Sequence, residues 1–154
     1  MVHVGLLYER LRWEEKAIIK AFREKGAQLE LIDVRKGYVK LGDPPSQTPI
    51  FNLNSDQKPG IYLQRCLSYF KGLHVTATLE ALGFKVINSY LTSLICGNKL
   101  FTTLALVREG VPTPKTYLAF SPESVLKAAC ENGFPVVLKP VYGSWGRMVA
   151  LLRD

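Results

Sequence analysis

The sequence predicts an α/β protein in two parts, and three observations carry that prediction. Strand-like apolar runs alternate with amphipathic helical stretches along most of the 154 residues. A lysine-led helix opens after Cys96-Gly97-Asn98. An apolar run carrying one lysine, Pro135-Val136-Val137-Leu138-Lys139-Pro140, then empties into the glycine-bearing loop Val141-Tyr142-Gly143-Ser144-Trp145-Gly146-Arg147.

The first part opens with a strand from Val2 to Tyr8, a helix from Trp13 to Lys25 and a strand from Gln28 to Asp33, which together form a βαβ unit. On that helix Ala17, Ile18, Ala21 and Phe22 read as the apolar stripe, while Arg12, Lys16 and Lys20 recur every four residues on a basic face. Between Val34 and Pro59 the text turns irregular, with Gly42-Asp43-Pro44-Pro45-Ser46 and Asn52-Leu53-Asn54-Ser55-Asp56. A long surface loop is expected there, holding one short strand near Ile50. A strand from Gly60 to Gln64, a helix from Tyr69 to Leu82 and a strand from Lys85 to Asn88 complete a Rossmann-like domain over residues 1–95, with Tyr90 to Ile95 as a helical hinge.

The second part covers 96–154. Leu100, Leu104 and Val107 keep helical spacing, Asn98 suits an N-cap, and Gly110 followed by Pro112 closes the helix. A strand from Lys115 to Ala119 follows, then a helix capped by Ser121 with Pro122 at its first position and Gly133 at its end. Val136 to Leu138 is a β-branched run bounded by prolines and reads as a buried strand. Met148 to Leu152 would pair back across the glycine loop as the other arm of a hairpin.

The chemistry is concentrated at that loop. Lys139 stands at the strand end, and Gly143 and Gly146 permit backbone angles that turn amides toward phosphate oxygens; Ser144 adds a hydroxyl and Arg147 a charge. A two-glycine hairpin turn would look the same. Lys99, a second lysine at a helix start, favours the phosphate clamp. In the first domain, the Arg65-Cys66-Leu67-Ser68 turn follows a strand, where ligands of open α/β sheets sit. Ser68 is either a helix cap or, with Arg65, a ligand contact. His3 and His74 read as packed or surface histidines without a catalytic role.

Composition narrows the classes further. Cys66, Cys96 and Cys130 are odd in number and widely spaced, which speaks against a disulfide framework or a zinc site and suits buried free thiols. No apolar run reaches the roughly 20 residues that span a bilayer, so no membrane association and a cytoplasmic location are expected. Twenty basic against 13 acidic residues give +7, a charge that attracts phosphates, nucleic acid or an acidic protein. Nucleic acid is the weakest of these, because no zinc-finger, RNA-recognition or helix-turn-helix signature is present.

With these residues in view, the chain resembles the ATP-grasp ligases, and within them the LysX and RimK-like branch. Gly97 to Pro114 is similar to that branch's Gly-Asp-Lys, helix, Gly-x-Pro-x-Pro segment, with Asn98 in place of the aspartate. Phe134 to Arg147 resembles its Pro-Val-Val-Leu-Lys-Pro, Gly-Ser-Trp-Gly-Arg segment, and Trp145 in the loop is the LysX-like mark. Arg65-Cys66-Leu67-Ser68 and Gly83-Phe84-Lys85-Val86-Ile87-Asn88 match the family's Arg-Cys-x-Ser turn and Gly-x-x-Val-Ile-Asn strand.

The resemblance implies a Rossmann-like pre-ATP-grasp domain followed by the first, small α+β lobe of an ATP-grasp fold, that is, the first half of such an enzyme. It implies ATP and magnesium as cofactors, with the magnesium carboxylates in a carboxyl-terminal lobe or companion chain beyond Asp154. Lys99 and Lys139 would hold nucleotide phosphates; Gly143, Ser144, Trp145, Gly146 and Arg147 would form the lid; Arg65 and Ser68 are substrate-side candidates. The implied partners are an acidic amino-group carrier protein and α-aminoadipate or glutamate, and a homo-oligomer is compatible with the family. A RimK-like glutamate ligase and a non-catalytic nucleotide-sensing or docking module remain as alternatives.

Overall fold

The computed structural model describes residues 2–44, 49–51, 53 and 58–154. The chain divides into two compact units, Met1–Ser93 and Leu94–Asp154.

The first unit is built on a four-stranded, all-parallel sheet of β1 (His3–Tyr8), β2 (Gln28–Asp33), β3 (Ile61–Arg65) and β4 (Lys85–Ile87), in the order β2-β1-β3-β4. Helix α1 (Trp13–Glu24) links β1 to β2, and α2 (Tyr69–Ala81) links β3 to β4. β1 is central, with Leu6 paired to Leu31 on one side and to Leu63 on the other. Its buried run of Val4, Leu6 and Leu7 is the continuous apolar pattern of a strand covered on both faces. Gly5 lets the neighbours close in, since a Cβ there would lie 2.9 Å from Ile32 Cδ1 and 2.9 Å from Tyr62 Cδ1.

The core gathers Leu7, Ile32, Ile50, Tyr62, Val75, Leu79 and Val86, with Tyr62 and Phe84 meeting edge to face at 5.5 Å. Helix α2 buries Gly72, Val75, Thr76 and Leu79, the spacing of one helical face. Both helices stop at a glycine with positive φ, Gly26 and Gly83, and the following amides close back onto the last turn through Ala27 N to Phe22 O and Phe84 N to Leu79 O at 3.1 and 2.9 Å.

The second unit starts within α3 (Tyr90–Cys96), which runs across the division between the units. Helix α4 (Lys99–Arg108) is capped by Asn98, whose Oδ1 accepts the Phe101 amide at 3.1 Å, and ends at Gly110, φ 69, with Val111 N bonded to Leu106 O at 2.9 Å. Helix α5 (Pro122–Asn132) is capped by Ser121, has its proline in the first turn and stops at Gly133. β5 (Val136–Leu138) and β6 (Ala150–Leu152) form an antiparallel hairpin in which Val137 faces Leu151.

Several expectations need correction. The stretch from Lys115 to Ala119 is not a strand: Pro112 and Pro114 remove donors just before it, Lys115 to Leu118 are exposed, and no ladder partner is present among the described residues. β5 is not buried, because Val137 and Leu138 are 56% and 43% exposed and no layer covers the ribbon within the second unit. The strand near Ile50 is reduced to isolated bridges from Ile50 to Val39 and Leu53. Pro45, Ser46, Asn52, Asn54, Ser55 and Asp56 of the expected loop lie outside the described residues.

On α1, Ala17 and Ala21 are exposed; the inward face is Glu15, Ile18, Ile19 and Phe22, and a buried carboxylate takes the place that an all-apolar stripe would have filled. Arg12 is the N-cap residue of α1 and not part of a solvated basic face. The thiols also differ from expectation, since Cys66 is half-buried while Cys96 and Cys130 are exposed; all three are free.

Candidate functional site

In the second unit the amino end of α4 is tied to the glycine loop twice. Lys99 N–H donates to the Val141 carbonyl at 3.0 Å, and Lys99 Nζ donates to the Gly143 carbonyl at 2.8 Å. The Asn98 cap sets the first turn of α4, and this places the Lys99 ammonium at the mouth of the β5–β6 hairpin.

The loop itself is kept in shape by backbone geometry. Gly143 and Gly146 have φ of 140 and 67, angles that a Cβ disfavours, and two non-glycine residues, Trp145 and Met148, share the left-handed region at 61 and 57. Arg147 N donates to Ser144 O at 3.3 Å and Val149 N to Gly146 O at 3.2 Å. Trp145 and Met148 are 79% and 85% exposed, so the loop offers large side chains to solvent with nothing packed on them in this unit. Lys139, directly after β5, and Ser144 and Arg147 on the loop are exposed as well. The structure thus brings Lys99 onto the loop and leaves Lys139 at the foot of the same hairpin.

Lys99, Lys139 and Arg147 are cationic donors of the kind that meet anions. They do not suit a metal cage. Among the described residues no group of three or more His, Cys, Asp or Glu side chains could hold a metal ion.

The first-unit candidates sit where strand order reverses, between β1 and β3. Arg65 closes β3 and binds Glu15 while its side chain stays 35% exposed: its Nε reaches Oε1 at 3.1 Å and its Nη2 at 3.0 Å. Glu15 also accepts Arg12 N at 3.1 Å, Arg12 Nε at 3.1 Å and Arg12 Nη2 at 3.0 Å. Burial alone would raise the Glu15 pKa, but these guanidinium and amide bonds outweigh it and hold the carboxyl at about 2.

Ser68 caps α2, its Oγ accepting Lys71 N–H at 3.4 Å, while its own amide donates to Glu9 Oε2 at 2.7 Å. Glu9 Oε1 accepts Lys71 Nζ at 2.8 Å. Burial and the Glu9 charge push the neighbouring Cys66 thiol up to about 12, away from the thiolate form. Sequence reasoning missed both Glu9 and Glu15. Glu15 carries a legible signal, an acid three residues after the helix N-cap, but an arginine at that cap position hides it.

A cavity of about 300 Å³ lies at the ends of β1 and β2, bordered by Tyr8, Ile32, Asp33, Lys36, Phe51 and Leu53. Of the two acids that line it, Glu30 and Asp33, the latter is already paired, since Arg35 Nε and Nη2 reach Asp33 at 2.9 and 2.7 Å and hold that carboxyl at about 2. Among the described residues no single helix is long and apolar enough to cross a membrane.

Comparison with known proteins finds relatives over most of the chain. The family model of the LysX preATP-grasp domain matches residues 4–95. The chain is 38% identical over 139 residues to an alpha-aminoadipate–LysW ligase LysX of Saccharolobus solfataricus, covering 90% of this chain and 47% of the relative. It is 37% identical over 153 residues to a glutamate–LysW ligase ArgX of Sulfurisphaera tokodaii, covering 99% of this chain and 50% of the relative. The crystal structure of a RimK domain ATP-grasp protein from Sphaerobacter thermophilus superposes with a TM-score of 0.76 at 27% identity, over 99% of this chain and 54% of that one. The chain therefore spans about half the length of these relatives. With the parallel sheet and the switch-point turn in place and the family model matched over residues 4–95, the chain belongs to the LysX preATP-grasp domain family.

Proposed function

We propose that this chain supplies the substrate-side domain, over 1–95, and the nucleotide-phosphate clamp, over 96–154, of an ATP-dependent carboxylate–amine ligase. In that reaction the γ-phosphoryl group of ATP passes to a carboxylate, leaving ADP; an amine then attacks the acyl phosphate, forming the amide and releasing phosphate. The carboxylate is the terminal glutamate of an acidic amino-group carrier protein, and the amine belongs to α-aminoadipate or glutamate. Both amino acids stand because relatives named for each share 38% and 37% identity with this chain. The net charge of +7 favours encounter with an acidic carrier, and the role is that of a cytoplasmic biosynthetic enzyme.

The observation that carries this reading is the double attachment of Lys99 to the glycine loop, at Val141 O and Gly143 O. Phosphoryl transfer needs fixed positive charge at the moving phosphate together with exclusion of water. Lys99 and Lys139 supply the charge. Gly143, Ser144, Trp145, Gly146 and Arg147 form the lid whose exposed tryptophan covers the nucleotide on closure. Arg65 and Ser68 serve on the substrate side. Magnesium accompanies the nucleotide, with no carboxylate of the described residues assigned to it.

The test is calorimetric titration of magnesium ATP into this chain, and into the chain extended by the coding sequence that follows it. Saturable binding that appears or tightens with the extension supports the ligase. A folded protein that binds no nucleotide in either form overturns it in favour of a docking module. The likeness to a RimK domain protein keeps glutamate ligation to another acceptor as the second reading, separated by offering carrier and peptide acceptors to the extended protein.

A further inference from the structure

In open parallel sheets the reversal of strand order takes an anionic ligand, held by the amides at the start of the helix that follows. In this protein that place is filled from within. Glu9, the residue directly after β1, is only 7% exposed. Its Oε2 accepts the Ser68 amide at 2.7 Å and its Oε1 the Lys71 ammonium at 2.8 Å, with the Leu67 backbone as a further donor. Backbone amides at the head of the 13-residue α2 and one ammonium are what a bound phosphate or carboxylate would find there.

The other side of the crevice is closed to phosphate as well. The β1–α1 turn, Glu9-Arg10-Leu11-Arg12, contains no glycine, so its backbone lacks the close approach that a dinucleotide-binding turn provides. The acid at the end of β2, Asp33, is bound to Arg35.

We infer that Glu9 is a built-in carboxylate ligand of the anion site at the head of α2, which shuts external phosphate out of that site and holds the Arg65-to-Ser68 turn in its working shape with no ligand bound. The inference does not depend on the ligase reading. A glutamate in this role does for the turn what a cofactor phosphate does in nucleotide-binding relatives of the fold: it satisfies the orphan amides and pins the helix.

Chemical rescue tests it in the full chain. Thermal unfolding and the amide resonance of Ser68 are followed in wild type and Glu9→Ala while sodium formate replaces sodium chloride at constant ionic strength, with inorganic phosphate as a second probe. The expected result is a wild type indifferent to formate and phosphate, and a Glu9→Ala protein that melts several degrees lower and regains both melting temperature and Ser68 shift with saturating formate. A wild type whose Ser68 resonance moves saturably with phosphate overturns the inference, as does a folded Glu9→Ala protein with an unmoved Ser68 shift and no response to formate. Should Glu9→Ala fail to fold, the isosteric Glu9→Gln is used: a large change in the Ser68 amide shift is expected, and an unchanged shift overturns the inference.

Discussion

Glu15 and Arg65 stand 50 residues apart in the chain and meet at 3.0 Å, joining the first turn of α1 to the end of β3. Arg12 binds the same carboxylate, through Nε to Oε2 and Nη2 to Oε1, so one fully buried acid gathers two guanidinium groups at the rim of the switch point. Removing Arg65 leaves Glu15 with Arg12 alone. We expect Arg65→Gln to cost about 2 kcal/mol of stability, the worth of hydrogen bonds to a buried charge, read as a lowered midpoint in urea unfolding.

The same carboxylate makes stability depend on acid. Glu15 titrates at about 2 in the folded protein against an ordinary 4.5, so its contribution is complete above the unfolded value and fades as pH falls from 4.5 through 2. Asp33, held down to about 2 chiefly by its bond from Arg35, and Glu9, lowered by the bonds from Lys71 and Ser68 against the cost of burial, add to the slope in the same direction. Melting temperature followed downward across this window should fall steeply in wild type and less steeply in Glu15→Gln. Equal slopes would show that Glu15 is not a source of the acid sensitivity.

The two clamp lysines should separate by stability. Lys139 is exposed, so Lys139→Ala should leave folding within roughly 0.5 kcal/mol of wild type. Lys99→Met loses the bond to Gly143 O and should loosen the loop, read as faster amide exchange across residues 143–149, while the backbone bond from residue 99 to Val141 persists. On the proposed function, each change in the extended protein should weaken ATP binding roughly tenfold to a hundredfold, the worth of one charge-assisted contact, measured calorimetrically. Unchanged affinity in both would remove them from the nucleotide site.

Gly5 gives a control that removes no charged group. An added Cβ would sit 2.9 Å from Ile32 and Tyr62 side-chain carbons and 3.0 Å from Pro59 Cγ, at the centre of the sheet. Gly5→Ala should destabilise by about 1–3 kcal/mol through overpacking, read from chemical unfolding with no change in ATP affinity for the extended protein.

Local signals were legible and distant ones were not. Asn98, Gly110, Ser121, Pro122 and Gly133 announce the ends of α4 and α5 because capping is decided within a few residues. The hairpin of β5 and β6 could be read from two apolar runs flanking a glycine loop. Arg12 was misread because spacing along α1 says nothing about an acid folded back on its own N-cap, or about an arginine arriving from β3. The exposure of Val137 and Leu138 was misread for a related reason: composition reports what a residue would prefer to bury, while burial needs a second layer that composition does not name. Lys99 was singled out by its place at a helix start, yet its bond to Gly143, 44 residues on, is a tertiary fact.

The bare ribbon of β5 and β6 has a dynamic consequence. A two-stranded hairpin with both members of its Val137–Leu151 pair more than half exposed is marginal by itself, whereas β1 lies paired on both sides with Leu6 and Leu7 at 0% exposure. Opening of the ribbon therefore needs far less free energy than opening of the sheet, and the amides of Val136 to Leu138 should exchange with solvent by local fluctuation long before those of Val4 to Leu7. The loop that binds Lys99 is thus mounted on a soft support, which gives it the freedom to swing.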